Sequence, residues 1–331
     1  MRFGIPSVLG PLAFRSLPCT PRVPVSTPKR RVGTSGLPRV FSASQPLTDT
    51  ITSTTNSYVK HCCKLRSSRA YREESASVLV VGSTPIQEIA GLTTIKTLFL
   101  APEVEQLPGI TATCTLRVSE PVLKKLSCLE TVAGLKAVAE VETPPTADFV
   151  KNYQPGQIQR LLALERVQDP GNLGSLLRTA AGLGWDGVFL LPGCCDPFNE
   201  KALRASRGAA FKLPIGVGDW QGMDCIAEYH NLICFGAEPH DSAAEEDLSK
   251  GRDMSSNREV VSGPRGLCVV LGNEGQGLSG EALSRCRPLT IPMAGRMESL
   301  NVSHAGAILM FALSEGSAQV IEKLKSHTRG S

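Results

Sequence analysis

Three polar stretches of the chain carry residue types that could bind a ligand or act on it. Asn172 and Arg178 lie in ERVQDPGNLGSLLRT, Glu274 lies among the glycines of LGNEGQG, and Ser299 and Asn301 lie in IPMAGRMESLNV. Glycine lets backbone groups approach a ligand closely, and amide, carboxylate and guanidinium side chains orient its polar atoms. The three stretches predict one binding or catalytic site, provided that the fold brings them together.

A dinucleotide site is the first alternative, because Gly275, Gly277 and Gly280 have the G-x-G-x-x-G spacing behind the apolar run LCVVL. Such a loop holds a pyrophosphate on the N–H groups at the start of a helix. Glu274 would place a negative charge beside that phosphate, and too little chain follows Gly280 for the several βα units of a dinucleotide-binding domain. The sequence therefore disfavours NAD and FAD.

Several of these residues also have simple structural explanations. Asn172 and Ser299 each precede a helical pattern and could act as its N-cap. Arg178 follows Leu176 and Leu177 and precedes further apolar residues, which predicts a largely buried helix. An unpaired guanidinium would be costly in that position. The residues alone leave the structural and the functional explanations open.

The elements that position these stretches alternate between short apolar runs and helical patterns from about residue 158 onward. This alternation predicts an α/β domain with a mostly parallel sheet covered by helices on both faces. Ligands of such sheets lie beyond the carboxyl ends of the strands, and each polar stretch follows a predicted strand. Residues 49–147 are predicted to form a smaller α/β module. Residues 148–157 are predicted to be a linker, since this region contains proline and little periodicity.

Residues 1–48 contain seven Lys or Arg, eight Pro, ten Ser or Thr and no acidic residue. This composition cannot form a core. It predicts an organellar transit peptide, with the chloroplast favoured over the mitochondrion because proline and hydroxyl residues are frequent. A disordered basic tail is the alternative. With seven of the 35 basic residues in this segment, the rest has 28 against 31 acidic residues, so any RNA-binding surface there must be a local basic patch.

The composition disfavours other classes of protein. No apolar run approaches the roughly eighteen residues of a membrane-spanning helix. The eleven cysteines include the adjacent pairs Cys62–Cys63 and Cys194–Cys195 but no C-x-x-C spacing. Adjacent cysteines are poorly placed to bridge each other or to chelate one metal ion. We therefore expect reduced, mostly buried thiols and no metal site.

Taken together, NLGSLLRTA, LGNEGQGL and IPMAGRMESLNV resemble the three signature motifs of the SpoU/TrmH family of RNA 2′-O-ribose methyltransferases, within the SPOUT superfamily. The resemblance runs in order over about residues 158–325. It assigns 158–331 to the methyltransferase domain of the family. Residues 49–147 are similar, more loosely, to the small N-terminal α/β substrate-binding domain of the family.

The resemblance implies a deep trefoil knot in the C-terminal α/β domain and S-adenosyl-L-methionine as the cofactor. Because this cofactor has no phosphate, Glu274 is compatible with it. The implied cofactor-binding residues come from the second and third motifs: Leu271, Gly272, Asn273, Gly275, Gly277, Ile291, Pro292, Met293, Gly295, Ser299, Leu300 and Asn301.

For catalysis, the resemblance points to Arg178. A guanidinium is not deprotonated in proteins, so we expect Arg178 to stabilise the ribose 2′-oxygen as its proton leaves and to clamp the adjacent phosphate. Asn172 would orient the ribose or Arg178. Glu274, Ser299 and Asn301 would arrange the cofactor and the catalytic loop by hydrogen bonds.

The implied partner is RNA, and the two-domain layout favours large-subunit ribosomal RNA of an organelle. Transfer RNA is one alternative, and a non-catalytic RNA-binding role in ribosome assembly is another. The family resemblance also implies a homodimer through the knot helices. The apolar stripe Ala305, Ile308, Leu309, Ala312 and Leu313 is compatible with a dimer, although core packing within one subunit explains it equally well. A set of basic residues in the N-terminal module is the predicted RNA-binding face, although an ordinary solvated face explains it equally well: Lys60, Lys64, Arg66, Arg69 and Arg72.

Overall fold

The computed structural model describes residues 50–238, 266–293, 295, 297 and 299–314. The predicted transit peptide, residues 1–48, lies outside the described residues. All elements below belong to one compact unit of the chain.

The first sheet has four strands and is built from residues 77–142. Its order is β1-β4-β2-β3; β4 is antiparallel to both neighbours, whereas β2 and β3 are parallel. The strands are β1 Ser77–Val81, β2 Ile95–Leu100, β3 Cys114–Arg117 and β4 Ala137–Glu142. The helices that accompany them are α1 Ser57–Ser67, α2 Arg69–Ser75, α3 Ser83–Ile89 and α4 Glu120–Ser127.

Helix α1 shows why this module folds as it does. It begins after Asn56, whose side chain accepts a hydrogen bond from the N–H of Tyr58, as an N-cap residue does. Val59, Cys62 and Leu65 are buried at intervals of three residues, so one face of the helix packs on the sheet. The other face carries polar residues.

The second sheet has six strands in the order β10-β8-β9-β5-β6-β7, and every pair is parallel. The predicted parallel α/β domain is confirmed. Its strands are β5 Arg160–Leu164, β6 Gly187–Leu190, β7 Ile215–Val217, β8 Leu232–Glu238, β9 Gly266–Leu271 and β10 Arg287–Thr290. Its helices are α5 Pro170–Gly182, α6 Glu200–Ser206, α7 Ala209–Lys212, α8 Trp220–His230, α9 Gly280–Arg285 and α10 Val302–Ala312.

The strand order positions the site. Strand β9 is buried along its whole length, as expected for a central strand of a parallel sheet covered on both faces. It lies beside β5, and the N–H of Glu165 donates to the carbonyl of Leu271 at 2.9 Å. The segments that follow β5, β9 and β10 therefore leave the sheet at the same edge. These segments are the three polar stretches.

The segment between the two sheets packs against the second sheet. Phe149 is buried, and a Cβ added to Gly187 would lie 2.6 Å from its ring. The carbonyl of Phe149 is 2.7 Å from Nε2 of His230, and the N–H of Ala147 donates to Ile215. The boundaries of the two domains and the linker remain a prediction.

The cysteines and helices bear on two of the expectations above. None of the ten cysteines among the described residues forms a disulfide. Cys62 and Cys268 are buried, Cys128 is exposed and the rest are half-buried, so the expectation of mostly buried thiols is too strong. Among the described residues, no helix has the length and apolar character that crossing a membrane requires.

Candidate active site

A cavity of about 800 Å³ opens at the carboxyl edge of the second sheet. One wall is the segment from Leu271 to Leu278, which contains the second polar stretch. The third stretch contributes Ile291, Met293, Ser299 and Leu300. The remaining lining comes from the end of β8, from β10 and from helices α9 and α10: Ala237, Glu238, Leu283, Leu289, Val302, Ala305 and Leu309.

Most of the residues predicted to hold the cofactor line this cavity. They are Leu271, Gly272, Asn273, Gly275, Gly277, Ile291, Met293, Ser299 and Leu300. Pro292, Gly295 and Asn301 belong to the same segments but do not line it. The fold thus brings the second and third stretches together around one space, and their contact with a cofactor remains a prediction.

The glycine loop has a fixed shape. Asn273 and Gly277 exchange two backbone hydrogen bonds, at 3.1 and 2.9 Å. The side-chain oxygen of Asn273 accepts from the N–H groups of Gly275 and Gln276, at 2.9 and 3.1 Å. Gly277 has a φ of 64°, which favours glycine. A Cβ at Gly272 would lie 2.4 Å from the carbonyl oxygen of Gly277, so the turn also requires glycine there.

The first stretch reaches this loop through Asn172, whose side-chain amide donates to Oε1 of Glu274 at 2.9 Å. Asn172 is not the N-cap of α5. That position belongs to Asp169, which accepts from the N–H of Asn172 at 2.8 Å, and Pro170 occupies the first helical position. The amide of Asn172 is therefore available for the contact with Glu274.

Arg178 departs from its prediction. Leu173, Leu176, Leu177 and Ala180 are buried along one face of α5, and Arg178 lies outside that pattern and is exposed. The expectation that it sits in a largely buried environment is wrong, because α5 buries one face and not its full circumference. Within the described residues Arg178 has no recorded hydrogen bond or ion pair, and it does not line the cavity.

The third stretch ends where α10 begins. Asn301 is the N-cap: its side-chain oxygen accepts from the N–H of Ser303 at 2.9 Å and from its hydroxyl at 2.6 Å. The alternative that Ser299 caps this helix is therefore wrong, since Ser299 lies two residues earlier. Ser299 is exposed to the cavity.

Glu165, which the sequence patterns did not single out, joins the first two stretches. It is buried at the end of β5. Its carboxylate accepts from the Ser279 N–H at 2.9 Å, from the Ser279 hydroxyl at 2.7 Å and from the Trp220 indole N–H at 3.0 Å. Burial raises the pKa of Glu165, but the hydrogen bonds from Ser279 and Trp220 and the charge of Arg166 outweigh it, so the pKa lies below its ordinary value. An acidic residue directly after the apolar run LLAL was the available signal.

We expect Glu165→Gln to lower the free energy of unfolding at pH 7 by about 2 kcal/mol, because hydrogen bonds to a buried charged group are lost or weakened. The pKa of Glu165 is lower in the folded state, so its contribution is present above the ordinary pKa and is lost as the pH falls through the folded pKa. Urea unfolding should show that the free energies of unfolding of variant and wild type differ less at pH 4 than at pH 7. Glu281→Gln is the control, since Glu281 forms an exposed ion pair with Arg285 that contributes little.

The charges around the cavity discriminate between ligands. Among the described lining residues, Glu238 and Glu274 are acidic and none is Lys, Arg or His. A pyrophosphate would meet only negative charge there, whereas a ligand with a positive centre and apolar parts matches both the carboxylates and the leucine-rich walls. Among the described residues, no group of His, Cys, Asp or Glu could hold a metal ion.

The predicted RNA-binding residues differ in their exposure to solvent. Lys60, Lys64 and Arg69 are exposed; Lys64 lies 4.1 Å above the Tyr71 ring and Arg69 pairs with Glu73. Arg66 is half-buried and donates to two carbonyls at the end of α4, both at 2.8 Å.

Arg72 is buried and cannot form part of the RNA-binding face, which corrects its prediction. Its guanidinium pairs with Asp196 at 2.5 Å and donates to the carbonyls of Leu65 and Arg66. It therefore connects the helices beside the first sheet with the segment that follows β6. The partner lies 124 positions away along the chain, so the local basic run gave no sign of this role.

Comparison with known proteins identifies the family of the chain. The model of the SpoU rRNA Methylase family matches residues 159–311. An uncharacterized tRNA/rRNA methyltransferase of Synechocystis is 31% identical over 284 residues, which cover 80% of this chain and 94% of the relative. The mitochondrial rRNA methyltransferase 3A of Danio rerio is 29% identical over 306 residues, or 79% and 69% of the two chains.

Two further comparisons concern the reaction and the cofactor. RlmP of Bacillus subtilis, a 23S rRNA (guanosine(2553)-2′-O)-methyltransferase, is 29% identical over 184 residues, or 54% of this chain and 69% of that protein. The crystal structure of an AdoMet-bound rRNA methyltransferase from Sinorhizobium meliloti superposes with a TM-score of 0.64 at 26% identity, over 80% of this chain and 97% of that one. The chain belongs to the SpoU family of S-adenosylmethionine-dependent RNA 2′-O-ribose methyltransferases.

Proposed function

We propose that this protein methylates a ribose 2′-hydroxyl in large-subunit ribosomal RNA of an organelle. The observation that carries the proposal is the cavity at the carboxyl ends of the strands. The charged residues among its described lining are carboxylates, and much of the remaining lining is glycine backbone and apolar side chains. The rRNA methyltransferases among the relatives support the choice of RNA.

The residues around the cavity fit S-adenosylmethionine. The loop from Leu271 to Gly277 offers the backbone groups of its three glycines, and Ile291, Leu300 and Leu309 offer apolar surface. Glu238 and Glu274 would favour a positively charged ligand. When bound, this cofactor supplies an electrophilic methyl group. Pro292, Gly295 and Asn301 would shape the cavity by holding the third stretch and the start of α10.

On the RNA side, Arg178 and Asn172 are the residues that we propose to act on the ribose. The planar guanidinium of Arg178 offers several N–H donors, so it stabilises the negative charge on the 2′-oxygen and binds a neighbouring phosphate. Its exposure suits contact with an incoming RNA strand. Asn172, held by Glu274 at 2.9 Å, orients the ribose, while Glu274 and Ser299 order the loops on the cofactor side.

We also propose that the protein works as a homodimer with the knot that the family resemblance implies. Ile308 is 41% exposed on the apolar helix α10, whereas Leu309 and Leu313 of the predicted stripe are already buried in the subunit core. Ile308→Glu should convert a dimer into monomers in sedimentation velocity. A wild-type protein that sediments as a monomer at micromolar concentration would exclude the dimer.

The RNA-binding face that we propose lies on α1 and the adjoining end of α4. Arg66 ties the two helices together through the carbonyls of Lys125 and Leu126. Lys60 and Lys64 are exposed on α1, and Lys124 and Lys125 are exposed on α4. These lysines form a local basic patch in a chain body that has no basic excess.

We expect the double change Lys60→Ala and Lys64→Ala to weaken RNA binding at all sequences. The logarithm of the RNA affinity falls as the logarithm of the salt concentration rises, and each phosphate contact that is lost should make this negative slope shallower by about 1. The measurement is filter binding of transcribed large-subunit rRNA at several salt concentrations. Lys151→Ala, which changes an exposed lysine on the segment that packs on the second sheet, is the control. Equal slopes for all three proteins would remove the patch from the RNA interface.

For the compartment, we propose the chloroplast, with the mitochondrion as the alternative. The composition of residues 1–48 favours a plastid, while the relative from Danio rerio is mitochondrial. Import of a fusion of residues 1–60 with a fluorescent protein into isolated organelles distinguishes the two.

The proposed function as a whole is tested in two steps. Calorimetry with S-adenosylhomocysteine and with NADH should detect binding of the first alone. Mapping of 2′-O-methyl groups in organellar rRNA and tRNA, with and without the protein, should then show one rRNA position that is lost. Loss of a tRNA position instead would favour tRNA as the substrate, the alternative that the Synechocystis relative suggests. A defect in ribosome assembly without the loss of any methylated position would indicate a non-catalytic assembly role.

A further inference from the structure

Arg166, the second residue after β5, has an unusual backbone conformation. Its φ is 55°, in the left-handed region that residues other than glycine rarely adopt. Such a conformation has a free-energy cost and persists only where surrounding contacts hold it. Contacts with the glycine loop of the cavity, with Glu165 and with Gly193 hold Arg166 in this conformation.

Three hydrogen bonds connect Arg166 with that loop. Its Nη1 donates to Oε1 of Gln276 at 3.1 Å, and its Nη2 donates to the carbonyl of Gly277 at 3.2 Å. Its own carbonyl accepts from the side-chain amide of Asn273 at 3.0 Å. Asn273 and Gly277 are the two residues that close the loop, so Arg166 holds the loop at its closure.

The guanidinium is kept in this orientation from two sides. Oε2 of Glu165 lies 3.7 Å from its Nη2. On the other side Gly193 packs against the Arg166 side chain so closely that an added Cβ would lie 2.7 Å from its Cγ. Glu165 in turn binds Ser279, at the far end of the loop.

We propose that Arg166 is a positioning residue for cofactor binding. The left-handed backbone at the end of β5 directs its side chain across the glycine loop, and the fork of two N–H donors fixes the loop in the shape that receives S-adenosylmethionine. Arg166 does not line the cavity and so acts through the loop backbone. This inference rests on the proposed function.

Arg207 provides a matched comparison. It also has a left-handed backbone, with a φ of 47°, and its guanidinium also forms an ion pair, with Glu88 at 2.6 Å. It ends α6 and, in the part of the chain that the structure describes, forms no hydrogen bond or ion pair with the glycine loop. Replacing either arginine by glycine removes the free-energy cost of a left-handed backbone and a side chain that forms an ion pair. Only the change at Arg166 also removes hydrogen bonds to the glycine loop.

The test is calorimetric titration of the full-length chain with S-adenosylhomocysteine, together with thermal unfolding and amide hydrogen exchange. For Arg166→Gly we expect affinity to fall about tenfold, as for the loss of one or two hydrogen bonds to a charged donor. Thermal stability should be unchanged or higher, because the strain is removed. The amides of Gly275, Gln276 and Gly277 should exchange faster. Arg166→Lys, which keeps the charge but not the fork, should retain part of the affinity.

The outcomes separate this inference from the proposed function. Arg207→Gly should bind S-adenosylhomocysteine like the wild type. If Arg166→Gly also binds like the wild type, the positioning role is wrong although the proposed function stands. If its affinity and thermal stability fall together, Arg166 serves the fold and the inference is again overturned. If the wild type itself does not bind S-adenosylhomocysteine, both fail.

Discussion

Arg178→Ala is expected to reduce the turnover number for RNA methylation by about 10²- to 10³-fold, the usual effect of removing a donor that stabilises a developing oxyanion. Affinity for S-adenosylhomocysteine should stay within about twofold, because Arg178 does not line the cavity. Thermal stability should also be unchanged, since the side chain is exposed and has no recorded partner among the described residues. Single-turnover kinetics on the mapped rRNA fragment would measure the effect.

Two further variants make this prediction specific. Arg178→Lys should recover only part of the rate, because an ammonium group cannot bind a phosphate with two parallel N–H donors. Arg204→Ala changes an exposed arginine on α6, the helix beside α5, and should turn over normally. Near-full turnover of Arg178→Lys would exclude the bidentate clamp, and normal turnover of Arg178→Ala would remove the residue from the reaction.

The second large effect is expected for Gly272→Ala. The new methyl group would lie 2.4 Å from the carbonyl oxygen of Gly277, and its three nearest neighbours are all backbone atoms, of Gly277 and Leu278, which cannot move aside as a flexible side chain would. We expect the loop to open, the affinity for S-adenosylhomocysteine to fall by about 100-fold or more, and the free energy of unfolding to fall by about 1–3 kcal/mol, as for overpacked sites. Calorimetry and urea unfolding would measure the two effects.

Gly280→Ala is the matched control for this change. Gly280 belongs to the same glycine pattern, but a Cβ there meets nothing within 4 Å, and the residue begins helix α9. Alanine favours a helix over glycine, so stability should be equal or slightly higher and binding unchanged. Equal affinities of the two variants would show that the closed turn is not needed for the cofactor.

The sequence predicted the parts of this molecule that depend on local pattern. The alternation of apolar runs and helical patterns was sufficient for the parallel sheet, and the polar stretches after LERV, VVL and TIPM pointed to its carboxyl edge. The glycines of the second stretch were also informative. Gly272 leaves no room for a Cβ, and Gly277 has a positive φ, so both positions of the turn favour glycine.

The sequence could not show contacts between distant residues. The partner of Arg72 is far along the chain, and the exposure of Arg178 depends on which face of α5 the sheet covers. Glu165 was missed because its three hydrogen bonds come from residues 55 and 114 positions away. The N-cap of α5 was a different kind of error, because Asp169 directly before Pro170 is a local signal for the start of a helix.

The place of β9 in the sheet has a consequence for the order of events during synthesis. Its neighbours β5 and β8 both leave the ribosome before it, and the two cannot be joined until residues 266–271 are inserted between them. Such long-range pairing makes folding slow and leaves unpaired strand edges in the meantime. A nascent chain that ended before β9 would have the strands β5, β6 and β7, an unpaired β8 and no pocket, so the capacity to bind a methyl donor arises only when the segment with β9, β10 and α10 has been made.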